Sequence, residues 1–214
     1  MLFVQLAKAL GCEAALADTQ LRRLTVAELR AALAHDPSLF PALAPHLSID
    51  NDGTIACLVE FFPISGTTLS AGESTQRLQQ LAAGGDAVPA AEKRLVDAWV
   101  CLQALDYIAG HGTRRRWFVD RRSGRITGVD NMSVFRAYVD AVVLESLRKR
   151  LAATRHFPVP LRQALQKNSV HTLISQLTMD SFFEQPLGPR QRADIADRIL
   201  TLKSLVHARP AHLQ

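Results

Sequence analysis

The chain has 214 residues, 48% of them hydrophobic and 21% charged, with a formal charge of +5. That balance supplies a sizeable buried core and excludes a disordered chain. Its apolar runs end after a few residues, which excludes a helix of the roughly 20 apolar residues needed to cross a bilayer.

The first element, Leu2 to about Leu16, has apolar residues at Phe3, Leu6, Leu10 and Ala14, with Gly11 marking a break or a close approach. This N-terminus is apolar like a signal peptide. It lacks a positive leading region, however, and carries Lys8 inside its apolar part, so cleavage is not expected. Thr25-Val-Ala-Glu28 has the form of a capping box that opens a second helix, which must end before Asp36-Pro37. Pro37, Pro41 and Pro45 make the next stretch turn-rich. At Asn51-Asp52-Gly53 a turn leads into Thr54 to Phe62, whose branched and aromatic residues predict a strand. The composition shift there predicts an N-terminal helical region over 1–50 and a helical domain over 51–214, either separate or packed as one.

"ISGTTLSAGEST" reads as a polar loop. Its Ser65-Gly66-Thr67-Thr68 lacks the lysine of a phosphate-cradling loop. Ala90 to Ala109 is the clearest helix, with Leu95, Trp99, Leu102, Leu105 and Ile108 recurring every three or four residues and Gly110 at its end. Trp117 to Asp120 and Arg125 to Val129 are extended pieces around the turn Arg122-Ser123-Gly124, a small hairpin. Helices are then predicted over Val134–Ala153, Leu161–Gln166, Val170–Phe183 and Pro189–His207, the last with proline at its first position. The fold class expected is α+β and predominantly helical, with one small hairpin and one or two further short strands.

Cys12, Cys57 and Cys101 are odd in number, far apart and flanked by apolar residues, which suits reduced core cysteines better than a disulfide frame or a zinc site. A reducing compartment, the cytoplasm, is the expected location; secretion as a bacterial effector without a cleavable signal is the variant that the sequence leaves open. Positive charge is carried mostly by arginine, with Arg114, Arg115, Arg116, Arg121, Arg122 and Arg125 crowded around the hairpin. Such a cluster is an anion-binding candidate, foremost Arg114, Arg115 and Arg116, or a solvated edge that blocks pairing with other chains. His111, between two glycines, is expected to be exposed and idle, and Asp106 to hold the basic loop structurally through Arg114 or Arg115.

A strand, a polar loop, a long buried helix, a tight basic loop, a hairpin ending in an acid, then only helices: this order resembles the large lobe of kinase-like folds. More narrowly, it looks like the atypical branch that contains HipA-type, FAM20-type and phosphoinositide 3/4-kinase-like proteins. In that branch the long helix runs into a loop of the form G-N-x-D-R-H-x-x-N, and the second hairpin strand ends in an I-D-x-G-x-x-F motif. Here "LDYIAG" runs into "HGTRRRWFVDRRSGRITGVDNMSVF". Gly110 matches the family glycine, Arg114 the loop arginine, Val119-Asp120 the strand after the loop, and Gly124 the hairpin turn. Asp130 and Phe135 match the metal-binding Asp and the aromatic that follows it.

The resemblance implies a loop Asp that orients the accepting hydroxyl, a loop Asn for a second metal and a hairpin Asp for the first. Thr113 stands at the place of the loop Asp, and Trp117 or Phe118 at that of the Asn. Neither an alcohol nor an aromatic ring replaces those groups. Lys8 is the sole lysine before Lys93 and falls in a helix, so the ATP-pairing lysine and the nucleotide-covering half are expected to be missing. The preferred reading is a degenerate kinase-like domain that acts by binding a protein partner, with no cofactor. Two alternatives stand beside it. One is an active phosphotransferase that uses magnesium and ATP, with Asp130 on the metal and Asp106 or Asp120 in the loop acid's role. The other is an arginine-rich anion or nucleic-acid binder, disfavoured because few aromatic rings stand near the arginines for base stacking. For Asp130 itself the plain alternative to a metal ligand is a helix cap or an ion pair with a neighbouring Arg.

Overall fold

A computed structural model describes residues 2–16, 18–61, 67–70, 73–84, 88–111, 116–120, 125–128, 139–177 and 187–208. The fold is α+β and predominantly helical, and the chain separates into two compact units, one formed by residues 1–17 and 62–214 and the other by 18–61. The boundary expected at residue 50 falls inside the second unit, because a strand on each side of it belongs to one ladder.

The larger unit is organised around α5 (Ala90–Ala109). From Trp99 to Ala109 every residue of this helix is buried, so its C-terminal half is enclosed on all sides rather than along the single stripe its periodicity predicts. Neighbours on several sides account for this: α1 (Leu2–Ala9), α4 (Glu73–Ala83), α6 (Ala141–Ala153) and α9 (Pro189–His207) all pack against it. Leu102, Leu105 and Ile108 are fully buried, each contributing about 1.5–3 kcal/mol of transfer free energy. The first helix is shorter than expected. It ends at Ala9, Gly11 adopts φ +64°, and a short 3-10 turn, Glu13–Ala15, follows. A Cβ at Gly11 would lie 2.9 Å from Pro160 Cβ, so only glycine makes this turn without displacing the start of α7 (Val159–Lys167).

Against α5 lies a three-stranded antiparallel sheet in the order β3 (Thr67–Ser70), β4 (Arg116–Asp120), β5 (Arg125–Gly128). The expected hairpin is therefore present, with Trp117 opposite Gly128 and Asp120 opposite Arg125, and β3 extends it from within the stretch expected to be a loop. Trp117 and Val119 are buried while Phe118 and Asp120 are half-buried, the alternation that a strand with one covered face dictates. A parallel bridge from Leu16 to Gly128 joins the N-terminal turn to the end of β5. The remaining described helix of this unit, α8 (Val170–Ser175), is opened by Ser169, whose Oγ accepts from Thr172 N at 3.0 Å.

The smaller unit is a two-stranded ribbon with helices in its connection: β1 (Asp18–Thr25), α2 (Val26–Ala32), α3 (Leu39–Leu43) and β2 (Thr54–Phe61). β1 and β2 pair antiparallel along their full length, from Asp18 opposite Phe61 to Thr25 opposite Thr54. The turn into β2 is as expected: Gly53 takes φ +75°, and Asp52 Oδ1 accepts from Thr54 N at 3.0 Å and from its hydroxyl at 2.6 Å. The capping box also forms, with Glu28 N donating to Thr25 Oγ1 at 3.2 Å and Thr25 N donating to Glu28 Oε2 at 2.7 Å. Among the described side chains of this unit only Ile55 is buried.

Candidate functional site

The candidate site is the end of α5 with the hairpin that follows. α5 closes in a Schellman motif. Gly110, at φ +71°, donates to Tyr107 O at 3.3 Å, and the His111 N–H donates to Asp106 O at 2.7 Å. A Cβ at residue 110 would lie 2.6 Å from Val139 Cγ2 and 2.9 Å from Arg198 Nη1, so both backbone angle and space select glycine here. Arg198, on α9, donates from Nη1 to Ile108 O at 2.9 Å. A cation on the last carbonyls of a helix meets the negative end of its dipole. Burial pulls the Arg198 guanidinium down from its ordinary range, and Asp194 and Tyr107 partly offset that.

The sequence-predicted residues fall into two groups. Asp106 is 2% exposed in the last turn of α5, and Asp120 is half-buried at the end of β4, so the two tentative acids sit on different elements. His111 corrects its expectation: it is 1% exposed, because the Schellman turn folds it back against the helix end instead of releasing it into solvent. Arg114, Arg115 and Asp130 lie outside the described residues, as does the side chain of Arg116, whose backbone opens β4. Among the described residues no group of three or more His, Cys, Asp or Glu side chains is placed to hold a metal ion.

Trp117 is the best-defined hairpin side chain. It is 5% exposed, and its ring meets Trp99 edge to face with centroids 5.3 Å apart and planes at 64°. Trp99 is in turn fixed by its indole N–H, which donates to Gln79 Oε1 at 3.4 Å, while Gln79 Nε2 donates to Arg150 O at 3.2 Å. The strand after the basic loop is thus anchored to α5, and α5 to α4 and α6, by one chain of contacts. Arg198 is the residue that sequence reasoning missed. Nothing local marks it, since its contact with Ile108 spans 90 positions.

No family model matches the chain, and no curated protein matches it. Among solved structures it is similar to a Fam20 protein from hydra, solved with sugar: the TM-score is 0.55 at 14% identity, over 97% of this chain and 69% of that one. At that identity the likeness concerns the fold. The chain has a kinase-like fold. No helix among the described residues is long and apolar enough to cross a membrane.

Proposed function

We propose that the chain is a catalytically degenerate kinase-like domain that acts by binding a protein partner. The observation that supports this most is Trp117. Phosphoryl transfer of the kinase type uses a loop carboxylate to orient the accepting hydroxyl and an Asn to hold a second magnesium. On the correspondence given by the resemblance, Thr113 takes the first place and Trp117 or Phe118 the second. A Trp ring packed on Trp99 belongs to the core, and an indole, a donor only, has no lone pair to offer a metal. Within these 214 residues, moreover, the only lysine before Lys93 is Lys8, which is exposed on α1.

The smaller unit supports the partner-binding half of the reading. α2 and α3 bury no residue, and Leu43 and Ile49 stay 41% and 56% exposed. Apolar side chains that folding leaves in water are available for association.

The test is the melting temperature of the purified chain with ATP and magnesium, together and separately. No shift from any combination, in a chain that melts cooperatively, is the expected result. A saturable, magnesium-dependent rise that Asp130→Ala abolishes would contradict it. That outcome would favour the active phosphotransferase instead, with Asp106 or Asp120 in the loop acid's role.

A further inference from the structure

The smaller unit differs in charge from the rest of the chain. Residues 18–61 carry three arginines against six carboxylates, a net of −3, which leaves +8 on the rest of a chain whose total is +5. Two of those arginines are engaged within the unit. Arg23 lies 3.5 Å from Asp50 and 3.4 Å from Asp52, and the Arg30 guanidinium sits over the Phe40 ring, 4.6 Å from its centroid. This second contact joins α2 to α3. Asp36 closes the turn between them, accepting from Ser38 N at 3.0 Å and from its hydroxyl at 2.6 Å. The two helices form one short platform whose apolar side chains are incompletely covered. Val26, Leu29 and Leu33 recur at three- and four-residue spacing and are half-buried, and Leu43, at the end of α3, is 41% exposed. Among the described residues α2 packs chiefly on β1, and α3 on the 3-10 turn Ala44–His46 that follows it. Helices of 7 and 5 residues do not hold their shape in water unaided, so an apolar stripe left open on them is a face for a partner to cover.

We propose that α2 and α3 dock a cationic amphipathic helix of a partner protein, with its apolar face on Leu29, Leu33 and Leu43 and its Lys or Arg side chains toward Glu28 and Asp36. The proposal rests on the partner-binding reading above and adds to it the place and the chemistry. Charge selects the occupant. A unit at −3 repels nucleic acid and anionic lipid and draws a basic segment, whose approach it steers. Glu28 is exposed and Asp36 half-buried. Hydrogen bonds from the Thr25 backbone to Glu28, and from the Ser38 hydroxyl to Asp36, hold both carboxyls below their ordinary range, so both stay charged at neutral pH. A stripe of side chains at helical spacing, as α2 offers, is the surface on which a helix lays its own apolar face.

The experiment follows amide shifts of the full chain, labelled with nitrogen-15, as a synthetic peptide with leucines and lysines at helical spacing is added. A scrambled peptide of the same composition and a version with Glu for every Lys are the controls. Saturable shifts concentrated at residues 26–49 are expected, with binding at least about fivefold weaker for the scrambled peptide. Raising salt from about 0.05 M to about 0.5 M is expected to weaken binding at least about tenfold. Leu29→Ser combined with Leu43→Ser should weaken it at least about fivefold while the ribbon's amide pattern is kept; should that chain lose the ribbon, Leu43→Ser alone gives the same reading. No shifts over 26–49, equal affinity for the scrambled peptide, or the Glu peptide bound on the same residues would overturn the docking surface. Shifts confined to residues outside 18–61 would overturn it too, yet leave a partner-binding role elsewhere, and the melting test with ATP and magnesium decides catalytic degeneracy separately.

Discussion

From Trp99 to Ala109 every residue of α5 is buried, whereas α2 and α3 of the smaller unit bury none. The first region is held by apolar burial and close packing. The second is held by a two-stranded ladder, a capping box, an Asx turn and exposed contacts such as Arg23 with Asp50 at 3.5 Å and Asp52 at 3.4 Å. Isolated two-stranded ribbons are marginal, and exposed ion pairs contribute roughly 0–1 kcal/mol. Burial is thus concentrated around the helix that leads into the candidate site, while the described side chains of the smaller unit are, Ile55 apart, at least partly exposed.

Side-chain truncation is expected to affect the two regions most unequally. Leu105→Ala, at a fully buried position of α5, is expected to cost about 2–5 kcal/mol in urea unfolding. Leu29→Ala, half-buried on α2, is expected to cost less than about 1 kcal/mol. Equal losses would mean that the smaller unit has a core of its own. Gly110→Ala comes next, at about 1–3 kcal/mol, from the left-handed backbone and the contacts a Cβ would make. Adding Val139→Ala should recover part of that loss, because the nearest clash is with Val139 Cγ2; strict additivity would leave the backbone angle as the whole cause.

Smaller effects sharpen the other side. Thr25→Ala removes one half of the capping box and is expected to cost about 1 kcal/mol, seen as faster amide exchange confined to α2. Glu28 gives a pH signature of the same motif. Hydrogen bonds from the Thr25 backbone, then from its hydroxyl, hold this carboxyl below its ordinary range. A depressed folded-state value means that the stabilisation is present above the unfolded value and fades as pH falls through the lower one. An NMR titration should therefore give Glu28 a midpoint below that of a free glutamate, and Thr25→Ala should raise it. An unchanged midpoint in that variant would mean that the Thr25 hydroxyl does not hold the Glu28 carboxylate in solution.

Much of the larger unit was legible because its signals are local. The proline ahead of Ala90 and the glycine after Ala109 bound α5 where the periodicity predicts, and the hairpin strands agree with expectation to within a residue. What was missed depends on distant partners. β1 reads "DTQLRRLT", with no alternation to announce a strand, and exists through pairing with β2. β3 is four residues of a polar stretch, too short to show a period, and α4 has too few apolar residues to stand out. Expected helices over Leu2–Leu16, Val134–Ala153 and Val170–Phe183 are described as Leu2–Ala9, Ala141–Ala153 and Val170–Ser175. Gly11 cuts the first short, and part of the other two lies outside the described residues. Of the site, the buried position of His111 was hidden from sequence because a lone histidine beside glycines carries no sign of the Schellman turn that folds it inward.

The most direct measurement is a crystal structure of the chain soaked with magnesium and a non-hydrolysable ATP analogue at saturating concentration. The degenerate kinase-like reading requires that no nucleotide be bound, that no metal sit on Asp130, and that Trp117 stay packed against Trp99. A bound analogue with magnesium on Asp130 and a second acid at the transferred phosphate would contradict it.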